Sequence, residues 1–502
     1  MPRPIFAVFN ALNTFFGLTN IGFYNIINSN FKRFERETDM EKLLILDCGG
    51  HCAEKTAEIV REAAVFCEIK PFGLSSDEIK TAGYKGIIIT GNRALGDRDV
   101  DKALFELGIP VLGVGTGADV MTAALGGKCE TADDNGTLAL SLDNTSPLFF
   151  GVTPHIMGNI EGDSKIVRIP LGFRISAKSE RCPIAAMENS RHRLYAMQFH
   201  PESADTFSGA DMLNNFLFRV CGFKADWIVK DYAGKVLNGL KERLGNKSVL
   251  CIVDGSIRSQ VAALIAHHAA ETQVTCIMIN HGLYRKDEAE SIIGLFKTFS
   301  DLDFRVLDIK DDVLAALKGI TEESAKQRAV CNTVQTLLDK TLEELGHVDV
   351  FLSDRIYCDS VNNQRIIKAD KVNCDSIVEP LNVLFPIEVN TVGLTLNMPL
   401  EMVERPALFD WGLALRIKGE VNAETVEVLK ECDAVISDTC SSDTERLECI
   451  LYPQLPFAAE GYTLTVAASP SSDVTAGVAA RRIAETVPKV GNVFIDTTYR
   501  KQ

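Results

Sequence analysis

The run Tyr195-Ala196-Met197-Gln198-Phe199-His200-Pro201-Glu202 sets a histidine and a carboxylate two residues apart at the end of an apolar stretch. Such a pair can act as a general base and its orienter, because a carboxylate that holds one imidazole nitrogen leaves the other free to take a proton from a thiol. The same spacing also serves a purely structural hydrogen bond. A second constellation is Asp254-Gly255-Ser256-Ile257-Arg258-Ser259-Gln260, a glycine-bearing turn between an apolar run and an Ala-rich stretch. Turns of this kind aim backbone N–H groups at phosphate oxygens. Here the charges oppose that use: a carboxylate at ~4 Å from a phosphate costs about 4 kcal/mol at an effective dielectric near 20. Asp254 and Arg258 stand four residues apart and can pair, or both can remain solvated on an open loop.

Strands and helices must alternate to position these groups. Leu43 to Asp47, Gly86 to Thr90 and Ile109 to Val114 read as short buried strands, each ending near glycine, with a helix-period stretch from Ala53 to Ala64. The pattern restarts beyond residue 226, with strands at Lys247 to Val253 and Thr275 to Asn280, a turn from Asp254 to Gln260, and helices at Val261 to Ala270 and Glu288 to Phe299. This predicts an α/β protein with two parallel-sheet domains, whose ligands sit at the carboxyl ends of the strands. The last hundred residues mix strand-like and helical runs and read as α+β. The expected division is an extension over 1–39, domains over 40–226 and 227–408, and a third over 409–502.

The chain has 502 residues, 46% hydrophobic and 24% charged, with a net charge of −16. That excess of acid opposes nucleic acid and anionic membrane surfaces as partners and favours a small ligand or another protein. The fourteen cysteines form no repeated C-x-x-C pair. They read as reduced thiols of a cytoplasmic protein, and none is assigned to a metal. Residues 4 to 31 lack charge, but six asparagines interrupt every stretch long enough to span a bilayer.

The histidine run, the stretch Met212-Leu213-Asn214-Asn215-Phe216-Leu217-Phe218, the opening Ile45-Leu46-Asp47-Cys48-Gly49, and Ser146-Pro147-Leu148-Phe149 resemble the signatures of GMP synthetases. These fuse a class I glutamine amidotransferase to an ATP pyrophosphatase of the adenine nucleotide alpha hydrolase-like type and end in an α+β dimerisation domain. The resemblance covers roughly residues 41 to 502. It implies the conversion of XMP, ATP and glutamine to GMP, AMP, pyrophosphate and glutamate, with Mg2+ on the ATP, in purine biosynthesis.

The resemblance also exposes departures. Where the family carries its nucleophile in a run like G-I-C-Y-G-M-Q, this chain reads Gly113-Val114-Gly115-Thr116-Gly117-Ala118-Asp119, with Gly115 in place of the cysteine. The oxyanion-side S-G-G-P appears as Thr90-Gly91-Asn92-Arg93. His200 and Glu202 are then a retained base pair without its thiol, and Thr116 and Cys48 are the poor candidates for a relocated nucleophile. The phosphate loop S-G-G-V-D-S appears as Asp254 to Ser259, with Gly255 and Ser259 kept, Asp254 in place of the first serine, Ser256 at the second glycine and Arg258 in place of an acid. Arg285 and Lys368 survive from two further nucleotide-contact motifs. The expectation is a homologue without glutaminase and without ATP pyrophosphatase activity. It would bind a purine nucleotide or a partner, as a homodimer or as a hetero-oligomer with an active GMP synthetase. The alternative is a divergent ammonia-dependent ligase.

Overall fold

A computed structural model describes residues 40–92, 101–132, 135–270, 274–299, 302–362, 371–403, 412–439, 447–452, 461–467 and 473–496. The expected extension over 1–39 and Lys368 lie outside the described residues. The chain divides into two compact units between Ile228 and Val229.

In the first unit the strands are β1 (Lys42–Asp47), β2 (Phe66–Pro71), β3 (Gly86–Gly91), β4 (Val111–Gly115), β5 (Lys128–Thr131), β6 (Gly136–Leu142), β7 (His155–Ile160), β8 (Ser164–Arg168), β9 (Arg174–Lys178), β10 (Ala186–Asn189) and β11 (Leu194–Met197). Nine of them form one sheet in the order β2-β1-β3-β4-β11-β10-β9-β6-β7, and β5 pairs with β8 apart from it. From β2 to β11 the neighbours run parallel, and beyond β11 they run antiparallel. β3 and β4 are buried at every residue, as strands covered on both faces must be. Helix α1 (Cys52–Glu62) follows β1, and α2 (Thr116–Ala124) follows β4 without an intervening loop.

The second unit holds β12 (Val249–Val253), β13 (Val274–Asn280), β14 (Leu302–Asp308), β15 (Val348–Leu352) and β16 (Cys374–Val378) in an all-parallel sheet ordered β14-β13-β12-β15-β16. The order reverses between β12 and β15, so a crevice opens at their carboxyl ends. Helix α3 (Ile257–Ala269) leaves β12 across a short turn. It begins four residues before the start expected from periodicity, because the Ser256 hydroxyl accepts from the Ser259 N–H at 3.3 Å and caps it. Arg258 is thus on the first helical turn and not on an open loop.

The described residues from 412 onward belong to the same unit. Helices α4 (Ala423–Ser437) and α5 (Asp473–Thr486) pack with β17 (Glu448–Tyr452), β18 (Tyr462–Ala467) and β19 (Val490–Asp496), and the three strands form a sheet in that order. Their apolar residues share one continuous core with the parallel sheet, from Leu250 and Phe351 through Leu429 to Val466 and Ile483.

A buried charge cluster joins these parts. Asp433 on α4 meets Arg416 on one side and Arg285 Nε at 3.0 Å on the other. Burial acts to raise the Asp433 carboxyl, but the two guanidinium groups outweigh it and hold the carboxyl below its usual range. Asp433→Ala leaves the buried Arg416 without that counter-ion and is expected to cost about 3–5 kcal/mol, read as a lower denaturation midpoint of the second unit. Because the folded value is the lower one, this stabilisation is present above pH ~4 and fades as pH falls through the folded value. A variant with an unchanged midpoint and an unchanged acid limb would refute the cluster's role.

Candidate functional site

Parallel pairing of β4 with β3 and with β11 brings Gly91, Gly115 and the segment after Met197 to one edge of the first sheet. Gly115 ends β4 with φ +54° and ψ −119°, a conformation that side-chain-bearing residues adopt only under strain. The chain then enters α2 directly. This is a sharp strand-to-helix turn of the kind that can display a nucleophile, with glycine at its apex. A Cβ built on Gly115 would lie 2.6 Å from Gly91 O and 2.6 Å from both Cε1 and Nε2 of His200. The imidazole occupies the space a nucleophile's stem would need.

His200 is fixed on every side. Its N–H donates to Asn159 O at 2.8 Å, its Nδ1 lies 2.7 Å from Glu202 Oε1, and its Nε2 lies 3.2 Å from Glu161 O. Both side chains of the pair are only 2% exposed. The structure adds a third group that the sequence reading passed over. The thiol that reaches this pair is Cys52, the first residue of α1, whereas Cys48 packs against Gly91. Burial would lower the His200 pKa, yet its contacts with Cys52 and Glu202 outweigh that and push it up to about 10. Burial raises the Cys52 thiol, and His200 offsets this only in part. The imidazole is thus held with Nδ1 on Glu202 and Nε2 facing Glu161 O, beside the Cys52 thiol.

On the oxyanion side, the Asn92 N–H is donated to Gly49 O at 3.3 Å, and its side chain binds Glu161 Oε2 at 3.2 Å.

The turn after β12 is also closed on itself. The Ser256 N–H and hydroxyl both donate to Asp254 Oδ1, at 3.0 and 2.6 Å, and the Asp254 N–H donates to Ser259 Oγ at 3.2 Å. Gly255 has φ +92°, and a Cβ there would collide with the ring of Tyr284. That ring lies over the turn with its hydroxyl 2.6 Å from Ile279 O and 3.0 Å from Asp254 O. It stacks on His281 with centroids 4.2 Å apart. Burial pushes His281 down to about 4, so it adds no positive charge to the site.

The expected Asp254–Arg258 pair takes another form. Arg258 reaches across the crevice to the segment after β15, with Nε 3.3 Å from Asp354 Oδ2 and Nη1 3.1 Å from both Asp359 oxygens. A helical first turn points its side chain at that neighbour, while Asp254 turns back to Ser256. Burial would raise the Asp254 carboxyl, but the nearby Arg258 charge and the serine hydrogen bonds hold it below its usual range. The residues present do not fit a nucleoside triphosphate with Mg2+: Asp254 takes the Ser256 N–H, a carboxylate faces the turn, and an ion pair crosses the crevice. Arg285, expected beside the nucleotide, is instead held by Asp433.

The class I glutamine amidotransferase family description matches residues 44–220. A protein of Clostridium novyi (strain NT) named GMP synthase [glutamine-hydrolyzing] is 36% identical over 418 residues, covering 80% of this chain and 81% of its own. One of the same name from Acetivibrio thermocellus is 35% identical over 416 residues, covering 79% and 81%. The chain belongs to the GMP synthase family. In this GMP synthase homologue a glycine ends β4 beside the His200–Glu202 pair, and a serine caps the helix that follows β12. No helix among the described residues is long and apolar enough to cross a membrane.

Restoring the family residue alone is not expected to restore chemistry. Gly115→Cys meets Gly91 O and the His200 ring at once, so the variant should be less stable than the parent and release no ammonia from glutamine above a heat-treated control. Glutaminase activity in this single variant would show that His200 yields the space readily.

Proposed function

We propose that this chain is a GMP synthase homologue that neither hydrolyses glutamine nor activates a nucleotide with ATP, and that it acts by binding a purine nucleotide or a partner protein. The observation that carries this reading is the glycine at the nucleophile turn with His200 in the vacated space. A thioester needs an attacking sulfur at that turn. The closed phosphate turn supports the second half of the reading independently.

The kept framework favours one other reading. Gly255 retains its positive φ and Ser256 still caps α3, which suits an ammonia-dependent ligase if the ion pairs of Arg258 open. Purified protein with ATP, Mg2+, XMP and either glutamine or ammonium separates the two. The expected result is no pyrophosphate in either mixture, and pyrophosphate with ammonium alone would establish the ligase. Calorimetry should detect little ATP binding by the parent. Asp254→Ser removes the facing carboxylate and frees the Ser256 N–H, so ATP affinity should rise by at least about tenfold without turnover. An Asp254→Ser protein that binds no better would remove the electrostatic explanation.

Self-association through the C-terminal sheet belongs to the same proposal. β19 is an edge strand that leaves Phe494 56% exposed and Ile495 40% exposed, an apolar edge suited to a second copy or to an active GMP synthase subunit. Sedimentation should give a dimer at micromolar concentration, and Phe494→Asp should shift it toward monomer. A parent protein that sediments as a monomer overturns the homodimer.

A further inference from the structure

Three potential metal ligands converge beside the glycine turn. The Cys52 thiol, a ring nitrogen of His200 and a carboxylate oxygen of Glu202 lie within 4.8 Å of one another. Cys52 and His200 are buried, and the Glu202 side chain is 2% exposed. The two Glu202 oxygens differ: Oε1 meets His200 Nδ1 at 2.7 Å, while Oε2 is buried without a hydrogen-bond partner. A buried carboxylate oxygen left unmatched costs about 1–3 kcal/mol, more when charged, and such an atom calls for a cation or donor.

We propose that Cys52, His200 and Glu202 form a binding site for a soft divalent cation, with zinc as the ion that suits the set. Sulfur, imidazole nitrogen and carboxylate oxygen are zinc's ordinary ligands, at about 2.3, 2.0–2.1 and 2.0–2.2 Å. Tetrahedral bonds of those lengths place the ligand atoms roughly 3.3–3.6 Å apart, so the thiol draws in slightly and the His200–Glu202 contact opens by about half an ångström.

Charge balances as well. Thiolate and carboxylate together carry two negative charges, which the divalent ion neutralises against a neutral imidazole. Binding sends two protons to solvent, one from the thiol and one from between His200 and Glu202. Cys52 is the first residue of α1, and the helix N-terminus favours the thiolate that the metal requires. Hard cations are disfavoured by the sulfur. The site shares His200 with the proposed function, and it stands whether or not the protein binds a nucleotide.

The test uses the full-length protein, stripped with chelator and titrated with zinc chloride or cobalt chloride. Zinc should bind stoichiometrically and raise the thermal midpoint, and cobalt should give intense tetrahedral d–d absorption with a thiolate-to-cobalt charge-transfer band. Cys52→Ser should abolish the charge-transfer band, Glu202→Gln should weaken zinc by at least about tenfold, the least that losing a group behind a ligand costs, and Cys48→Ser should change neither. Absence of the thiolate–cobalt band in the folded parent, or its persistence in Cys52→Ser, overturns the site. Glutamine-dependent ammonia release by the stripped protein that Cys52→Ala abolishes would also overturn it. That outcome would make the three residues a nucleophilic triad and refute the proposed lack of glutaminase at the same time.

Discussion

The parallel register of β4 between β3 and β11 is the constraint on which the first site rests. With Gly91 opposite Gly115 and Met197 opposite Val114, the sheet forces the glycine turn and the histidine segment to one edge, whatever side chains they carry. Main-chain pairing between strands buried on both faces depends on apolar content and not on the identity of the residue at the turn. The turn therefore holds its form with glycine at its apex, and the imidazole lies where a side chain there would have to go.

The second site shows the same principle in electrostatic form. A turn shaped for an anion exposes backbone donors that must be satisfied when no anion is intended. Here the Asp254 carboxylate takes the Ser256 N–H and hydroxyl, supplying from the chain the negative charge that such a turn attracts. Arg258 then faces Asp354 and Asp359 across the switch point between β12 and β15, so the crevice is closed by an internal ion pair. Tyr284 covers Gly255 from the other side. Each replacement compensates another, as expected where unpaired charges in a partly buried crevice are costly.

The C-terminal residues are tied into this arrangement. Arg285, at the end of a segment that resembles a nucleotide-contact motif, is held by Asp433 of α4 together with Arg416. The interaction fastens two parts of a single core.

The sequence by itself determined the α/β class, the succession of short apolar strands ending in glycine, the His200–Glu202 pair and the glycine turn at Gly115. These follow from apolar periodicity and from motifs contiguous along the chain. It could not choose Cys52 over Cys48, because that choice depends on how α1 sets its first residue against the edge formed by β4 and β11. Nor could it place the partners of Arg258, which lie about a hundred residues away. An i,i+4 spacing suggested Asp254, but the serine cap starts α3 early and turns the guanidinium toward β15. Local spacing records which groups are available, while long-range strand order and helix start decide which of them meet, because only there are distances of a few ångströms fixed between residues far apart in the chain.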